Sequence, residues 1–197
     1  MKTLIAFGTR YGATADTADL IATGLREEGI ETDVVNLKRQ DVDDLSVYDM
    51  VVIGSGIKAS RWTKEPDQFL KDHKEELQSK ITALFVSSGS WPFTTGDGEM
   101  GAEQEGGLYS KLGVNKEEAY QQYVVDKANE HGLNPDSIEV FGGFWDFDAM
   151  GFLWRLLLRG LRKDLEAQGV DTDKPYDNRD LDRIREWAEE LASLLKS

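Results

Sequence analysis

The sequence predicts an α/β fold, a doubly wound five-stranded parallel sheet with helices on both faces. Short apolar runs of strand length recur along the chain, and segments with helical spacing separate them. At 197 residues, 40% apolar and 30% charged, the chain is also long enough to bury a sizeable core.

Leu4–Phe7 reads as the first strand and Thr9–Thr14 as the turn after it. From Ala15 the apolar residues Ala18, Ile21, Ala22 and Leu25 recur at helical spacing and stop at Gly29. Glu31–Leu37 is the second strand. Met50–Gly54, apolar throughout as central parallel strands are, is the third. Lys64–His73 has a helical pattern with Phe69 and Leu70 facing inward. Ile81–Ser87 and Ile138–Gly142 are the fourth and fifth strands, and Lys116–Glu130 and Asn178–Leu195 are helices.

Composition removes several function classes. With 37 acidic against 23 basic side chains the net charge is −14, which suits no nucleic-acid binder. No cysteine is present, so thiol chemistry, disulfides and thiolate-held metals are out. His73 and His131 are the only histidines; both read as surface residues, and no metal site is expected. Redox chemistry would therefore need an organic cofactor. The start has one basic residue and too short an apolar run for a signal peptide, and no run of about 18 apolar residues spans a membrane. A cytoplasmic protein is expected.

In open parallel sheets, ligands bind beyond the carboxyl ends of the strands. After the first strand stands Thr9-Arg10-Tyr11-Gly12-Ala13-Thr14, two hydroxyls around a glycine at a helix start. Free amides and the helix dipole there suit a phosphate, although a plain tight turn with an N-cap reads the same locally. Neither GxxxxGK nor GxGxxG occurs. After the third strand come Ser55, Gly56, Ile57 and Lys58, leading to Trp62. After the fourth come Ser87, Ser88, Gly89, Ser90 and Trp91. Taken singly, either tryptophan reads more often as a packing residue. Three such loops at one edge point to a ligand with a phosphate and a flat ring.

Met1-Lys2-Thr3-Leu4-Ile5 running into the Thr9–Thr14 loop, then Val51-Val52-Ile53-Gly54 with Ile57-Lys58, resembles the flavodoxin family. That family's phosphate loop reads Ser/Thr-x-x-Gly-x-Thr. Gly142-Gly143, and Gly169–Lys174 ahead of a last helix containing Trp187, extend the likeness. They direct it toward the flavodoxin-like, quinone-dependent protoporphyrinogen IX dehydrogenase branch. The resemblance implies a flavodoxin-like sheet of order 2-1-3-4-5 and FMN, its phosphate on Thr9, Arg10, Tyr11, Gly12, Ala13 and Thr14. It also implies an isoalloxazine between Ser55–Trp62 and Ser87–Trp91. Gly56 would be the peptide that rearranges when flavin N5 gains a proton. Two features depart from the pattern. Trp91 stands where many flavodoxins stack a tyrosine, and the Gly-rich acidic stretch 92–113 does not align. That insertion reads as a lid, a partner-binding loop or a solvated insertion.

Residues 144–166 form the most apolar part of the chain. Arg155, Arg159, Arg162 and Lys163 make its middle +4 in a chain of −14. The three arginines share one helical face, as in an interfacial helix on anionic lipid. A core helix whose arginines reach solvent or pair with Asp146, Asp148 and Asp164 is the alternative. In the resembled branch a similar segment is associated with membrane or substrate, so Arg155, Arg159 and Arg162 are candidates for a porphyrinogen or an anionic membrane surface.

The expectation is one flavodoxin-like domain, 1–197, transferring electrons through non-covalent FMN to a redox partner protein or quinone, with no catalytic side chain. Protoporphyrinogen IX dehydrogenase with a quinone acceptor, peripheral on the inner face of the membrane, is the alternative. A flavin-free binding module of the same fold is the second.

Overall fold

In the computed structural model, which describes residues 1–9, 12–58, 60–88, 116–145, 151–157, 159–167, 171–174, 176–177 and 179–197, five parallel strands form the centre. They are β1 (Lys2–Gly8), β2 (Glu31–Asn36), β3 (Met50–Lys58), β5 (Ile81–Ser88) and β6 (Ser137–Gly142). Their spatial order is β2-β1-β3-β5-β6, with β4 (Arg61–Trp62) folded back antiparallel on β3. This is the expected 2-1-3-4-5 arrangement, renumbered by one hairpin strand. That hairpin also carries the third strand beyond Gly54, pairing Ile57 with Trp62 and Lys58 with Arg61.

Strand alternation sends side chains to two apolar layers. Leu4, Ala6, Val51, Ile53, Leu84 and Val86 face one side, covered by α2 (Lys64–Asp72), α3 (Lys74–Leu77), α4 (Lys116–Tyr120) and α5 (Asp126–His131). Ile5, Phe7, Met50, Val52, Ala83 and Phe85 face the other, covered by α1 (Ala13–Glu27) and α8 (Leu181–Lys196). The helices bury the residues their spacing predicts: Ala18, Ile21, Ala22 and Leu25 in α1, and Ile184, Trp187, Ala188 and Leu191 in α8. Each large side chain buried this way stabilises the fold by about 1.5–3 kcal/mol.

Small residues set the close approaches. A Cβ on Gly24 would stand 2.7 Å from Cβ of Ala188, so α1 and α8 meet there at short range. Phe85, Phe141 and Trp187 pack edge to face, with centroids 5.6–6.0 Å apart. The buried indole N–H of Trp187 donates to Ser137 Oγ at 2.9 Å. The two helices run the same way, and Lys196 Nζ at the end of α8 reaches Glu28 Oε2 at 2.8 Å, just past the end of α1.

Two features depart from the reading of the sequence. The helix expected over 116–130 contains a π turn, Gln121–Val125, between α4 and α5. The segment after β6 is not helical from its start: it opens with β7 (Phe144–Trp145), antiparallel to β8 (Tyr176–Asp177). Helix is described over α6 (Phe152–Leu157) and α7 (Arg159–Ala167), on either side of residue 158, which lies outside the described residues. Among the described residues no helix is long and apolar enough to cross a membrane.

Candidate functional site

The register brings the ends of three strands side by side. Gly8 pairs with Ser55, and Gly56 pairs with Ser87. The loops after β1, β3 and β5 thus open at one carboxyl edge, as three ligand-binding loops require.

β1 leads through Thr9 to Gly12, which turns with φ 102° and ψ −30° directly into α1. Only glycine enters that region without strain, and its N–H donates to Thr9 Oγ1 at 3.1 Å, closing the turn. Among the described residues no side chain caps α1; Ala15 and Asp16 donate to the Gly12 carbonyl at 2.8 and 3.1 Å. The N–H groups of Ala13 and Thr14, ahead of them, face the loop with the positive end of the dipole behind them. Thr14 is buried, and a Cβ on Gly56 would stand 3.1 Å from its Oγ1. The first turn of α1 and the end of β3 therefore approach closely, and the missing side chain of Gly56 allows it.

Ser87 in β5 is buried, and its Oγ has no hydrogen-bond partner among the described residues. Such a hydroxyl normally costs free energy unless something satisfies it. Alternation puts it on the face of Ala83 and Phe85, the side of α1. An uncapped helix start, a glycine turn and a hydroxyl without a partner at one edge fit a cofactor carrying a phosphate and polar ring edges.

Other expected residues are placed differently. The Ser55 hydroxyl donates to the Gly56 carbonyl at 3.0 Å and accepts from the Thr63 N–H at 2.9 Å, so it shapes the loop from within. Trp62 lies in the core, and its indole N–H donates to the Tyr123 carbonyl in the π turn at 2.6 Å. The hydrogen bond fixes the indole against the α4–α5 layer. Ile57 is half-buried against the same layer, and Lys58 closes β3 opposite Arg61. Ser88 is buried beside Gly142. Arg10, Tyr11, Gly89, Ser90, Trp91, the 92–113 insertion, Asp146 and Asp148 lie outside the described residues.

The basic stripe divides. Arg155 and Arg159 are exposed, next to Phe152 at 78% and Leu156 at 58% exposure. Arg162 pairs with Glu166 at 3.0 Å and Asp173 at 2.6 Å.

The histidines are not simple surface residues. His131 Nε2 lies 3.0 Å from Asp67 Oδ1, and His73 Nδ1 lies 2.9 Å from Glu76 Oε1, both rings largely buried. Asp67, Glu130 and His131 could together surround a cation. Lys127 already supplies one, with Nζ 2.8 Å from Asp67 and 2.6 Å from Glu130.

One residue near the first loop gave no local sign in the sequence. Arg179 donates from Nη1 to the Ala13 carbonyl at 3.2 Å and grips Asp177 with Nε at 2.9 Å and Nη2 at 2.7 Å. Burial pushes the Asp177 carboxyl up, but these bonds and the Arg179 N–H hold it below the usual carboxylate range.

Comparison with known proteins fits this geometry. A family model described as flavodoxin domain matches residues 4–172. The chain belongs to the flavodoxin family: FMN is its cofactor and electron transfer its function. It is 27% identical to protoporphyrinogen IX dehydrogenase (quinone) of Escherichia coli K12 over 194 residues, covering 98% of this chain and 96% of that protein. It is 32% identical to a flavodoxin of Aquifex aeolicus over 95 residues, 46% of this chain and 51% of that one. A short-chain flavodoxin associated with a bacterial microcompartment superposes with a TM-score of 0.58 at 13% identity, over 99% of both chains. That last likeness concerns the fold alone.

Proposed function

We propose that FMN sits at the carboxyl edge of the sheet, its phosphate on Thr9–Thr14 and its ring between the loops after β3 and β5. The observation that carries this reading is the uncapped start of α1 behind Gly12, with Thr14 buried against Gly56. The amides of the first turn hold the phosphate by hydrogen bonds and the helix dipole. Gly12 lets the backbone come close, while Thr9 and Thr14 add hydroxyl donors. Gly56 leaves room for the ring edge, and the Ser87 hydroxyl gains a partner. Bound FMN supplies the electron-transfer chemistry, and the chain supplies position and electrostatics. The whole chain 1–197 acts as one unit, with a redox protein or a quinone receiving the electrons.

The test is direct. Apoprotein mixed with FMN turns yellow in the bound fraction and quenches flavin fluorescence. A colourless protein that leaves the fluorescence unchanged overturns the reading and favours a flavin-free module.

A second reading, quinone-dependent oxidation of protoporphyrinogen, is favoured by the end-to-end relative and by α6, which exposes Phe152 and Leu156 beside Arg155 and Arg159. An apolar face rimmed with arginine suits an anionic lipid surface or a porphyrinogen carboxylate. Replacing both arginines with Glu weakens binding to anionic vesicles and to porphyrin on this reading; unchanged binding removes it. Anaerobically reduced protein offered a quinone or a basic redox protein separates enzyme from carrier.

A further inference from the structure

We propose that Arg179 is a positioning residue for the FMN phosphate, acting through the backbone of the phosphate loop. The proposal rests on the reading that Thr9–Thr14 receives that phosphate. Arg179 comes from the loop ahead of α8, 166 residues from the carbonyl it holds. Its side chain is 8% exposed, and its three contacts fix it: Nη1 on the Ala13 carbonyl at 3.2 Å, with Nε and Nη2 on the two oxygens of Asp177 at 2.9 and 2.7 Å. A two-pronged guanidinium–carboxylate pair has little freedom to swing. Asp177 is anchored in turn, because β8 pairs with β7 and sets Asp177 opposite Phe144. The first turn of α1 is thus held by a side chain whose own partner lies in the β7–β8 ladder.

Charge adds a second role. Asp16 lies in the first turn of α1, with Oδ2 3.8 Å from Arg179 Nη2. Without the guanidinium, Asp16 and Asp177 would present two unbalanced carboxylates beside a dianionic group. Arg179 cancels that repulsion while it holds the loop. A residue working this way affects the phosphate end of the cofactor and leaves the ring end alone.

The experiment compares FMN with riboflavin, which has the same ring and no phosphate. Dissociation constants for both are measured by fluorescence quenching on wild type, Arg179→Met and Arg179→Lys apoproteins. Arg179→Met is expected to weaken FMN about tenfold, the size of one lost charge-assisted contact, and riboflavin less than about twofold. Arg179→Lys, which keeps the charge and loses the fork, falls between and serves as the test if the Met variant does not fold. Added salt narrows the FMN deficit by screening the carboxylates. Equal losses for both ligands, or no loss for FMN, overturn the proposal. Wild type that binds riboflavin as tightly as FMN overturns the phosphate-loop reading itself, and the proposal with it.

Discussion

Arg183, in the first turn of α8, holds its Nη2 2.6 Å from Oε2 of Glu139, a carboxylate buried in β6. The other carboxylate oxygen accepts from the Val140 N–H at 2.9 Å. The pair ties the last helix to the edge strand of the sheet. Removing the arginine leaves a buried charge without its counterion, which costs more than the pair itself contributes. Arg183→Ala is expected to lower stability by about 2 kcal/mol in urea unfolding, below the cost for a wholly buried pair because Arg183 is 34% exposed. A change under about 0.5 kcal/mol would show that water replaces the guanidinium.

Acid reports on a second pair. Burial pushes the Asp67 carboxyl up, yet hydrogen bonds from Lys127 and His131 hold it below its ordinary range. A depressed carboxylate contributes its stability above the unfolded pKa of about 4 and loses it as pH falls through the folded value. Asp67 is 40% exposed, so solvent limits the effect to below about 1 kcal/mol. The stability gap between wild type and Asp67→Asn is expected at pH 7 and should close by about pH 2–3. A gap that persists in acid assigns it to packing.

Gly54 tests the tightness of the core. A Cβ there would overlap the ring of Phe85, which Phe141 and Trp187 hold at centroid distances of 6.0 Å. Gly54→Ala is expected to cost about 1–3 kcal/mol by overpacking, or roughly 5 °C in melting temperature for a chain of this size. Unchanged melting would mean that the ring can move.

Trp62 separates packing from cofactor contact. Trp62→Phe deletes the 2.6 Å hydrogen bond to the Tyr123 carbonyl and is expected to cost about 1 kcal/mol. FMN affinity and the flavin spectrum should not change. A loss of affinity beyond about threefold would place the indole against the flavin.

Met50–Gly54 and Ile81–Ser87 were legible as strands because a parallel sheet covered on both faces leaves a continuous apolar run. The small residues and hydroxyls at their ends, Gly54, Ser55, Gly56, Ser87 and Ser88, are local features that the sequence displays directly. Partnership across the chain was not. Trp62 reads the same whether it meets a ring or the Tyr123 carbonyl 61 residues away. His131 meets Asp67 at a separation of 64 residues, and Arg179 meets Ala13 at 166. The short β7–β8 ladder has two residues per strand, too few for any periodicity to show.

The parallel run of α1 and α8 has a practical consequence. Both helices leave the loop edge and end at the opposite one, where Lys196 meets Glu28 and where Lys2 begins β1. A tether attached beyond Ser197 therefore leaves from the side away from the loops. The chain has no cysteine, so a single one added there would be its only thiol. Protein grafted to gold through that thiol would form a layer of common orientation, with the edge proposed for FMN turned toward the solution.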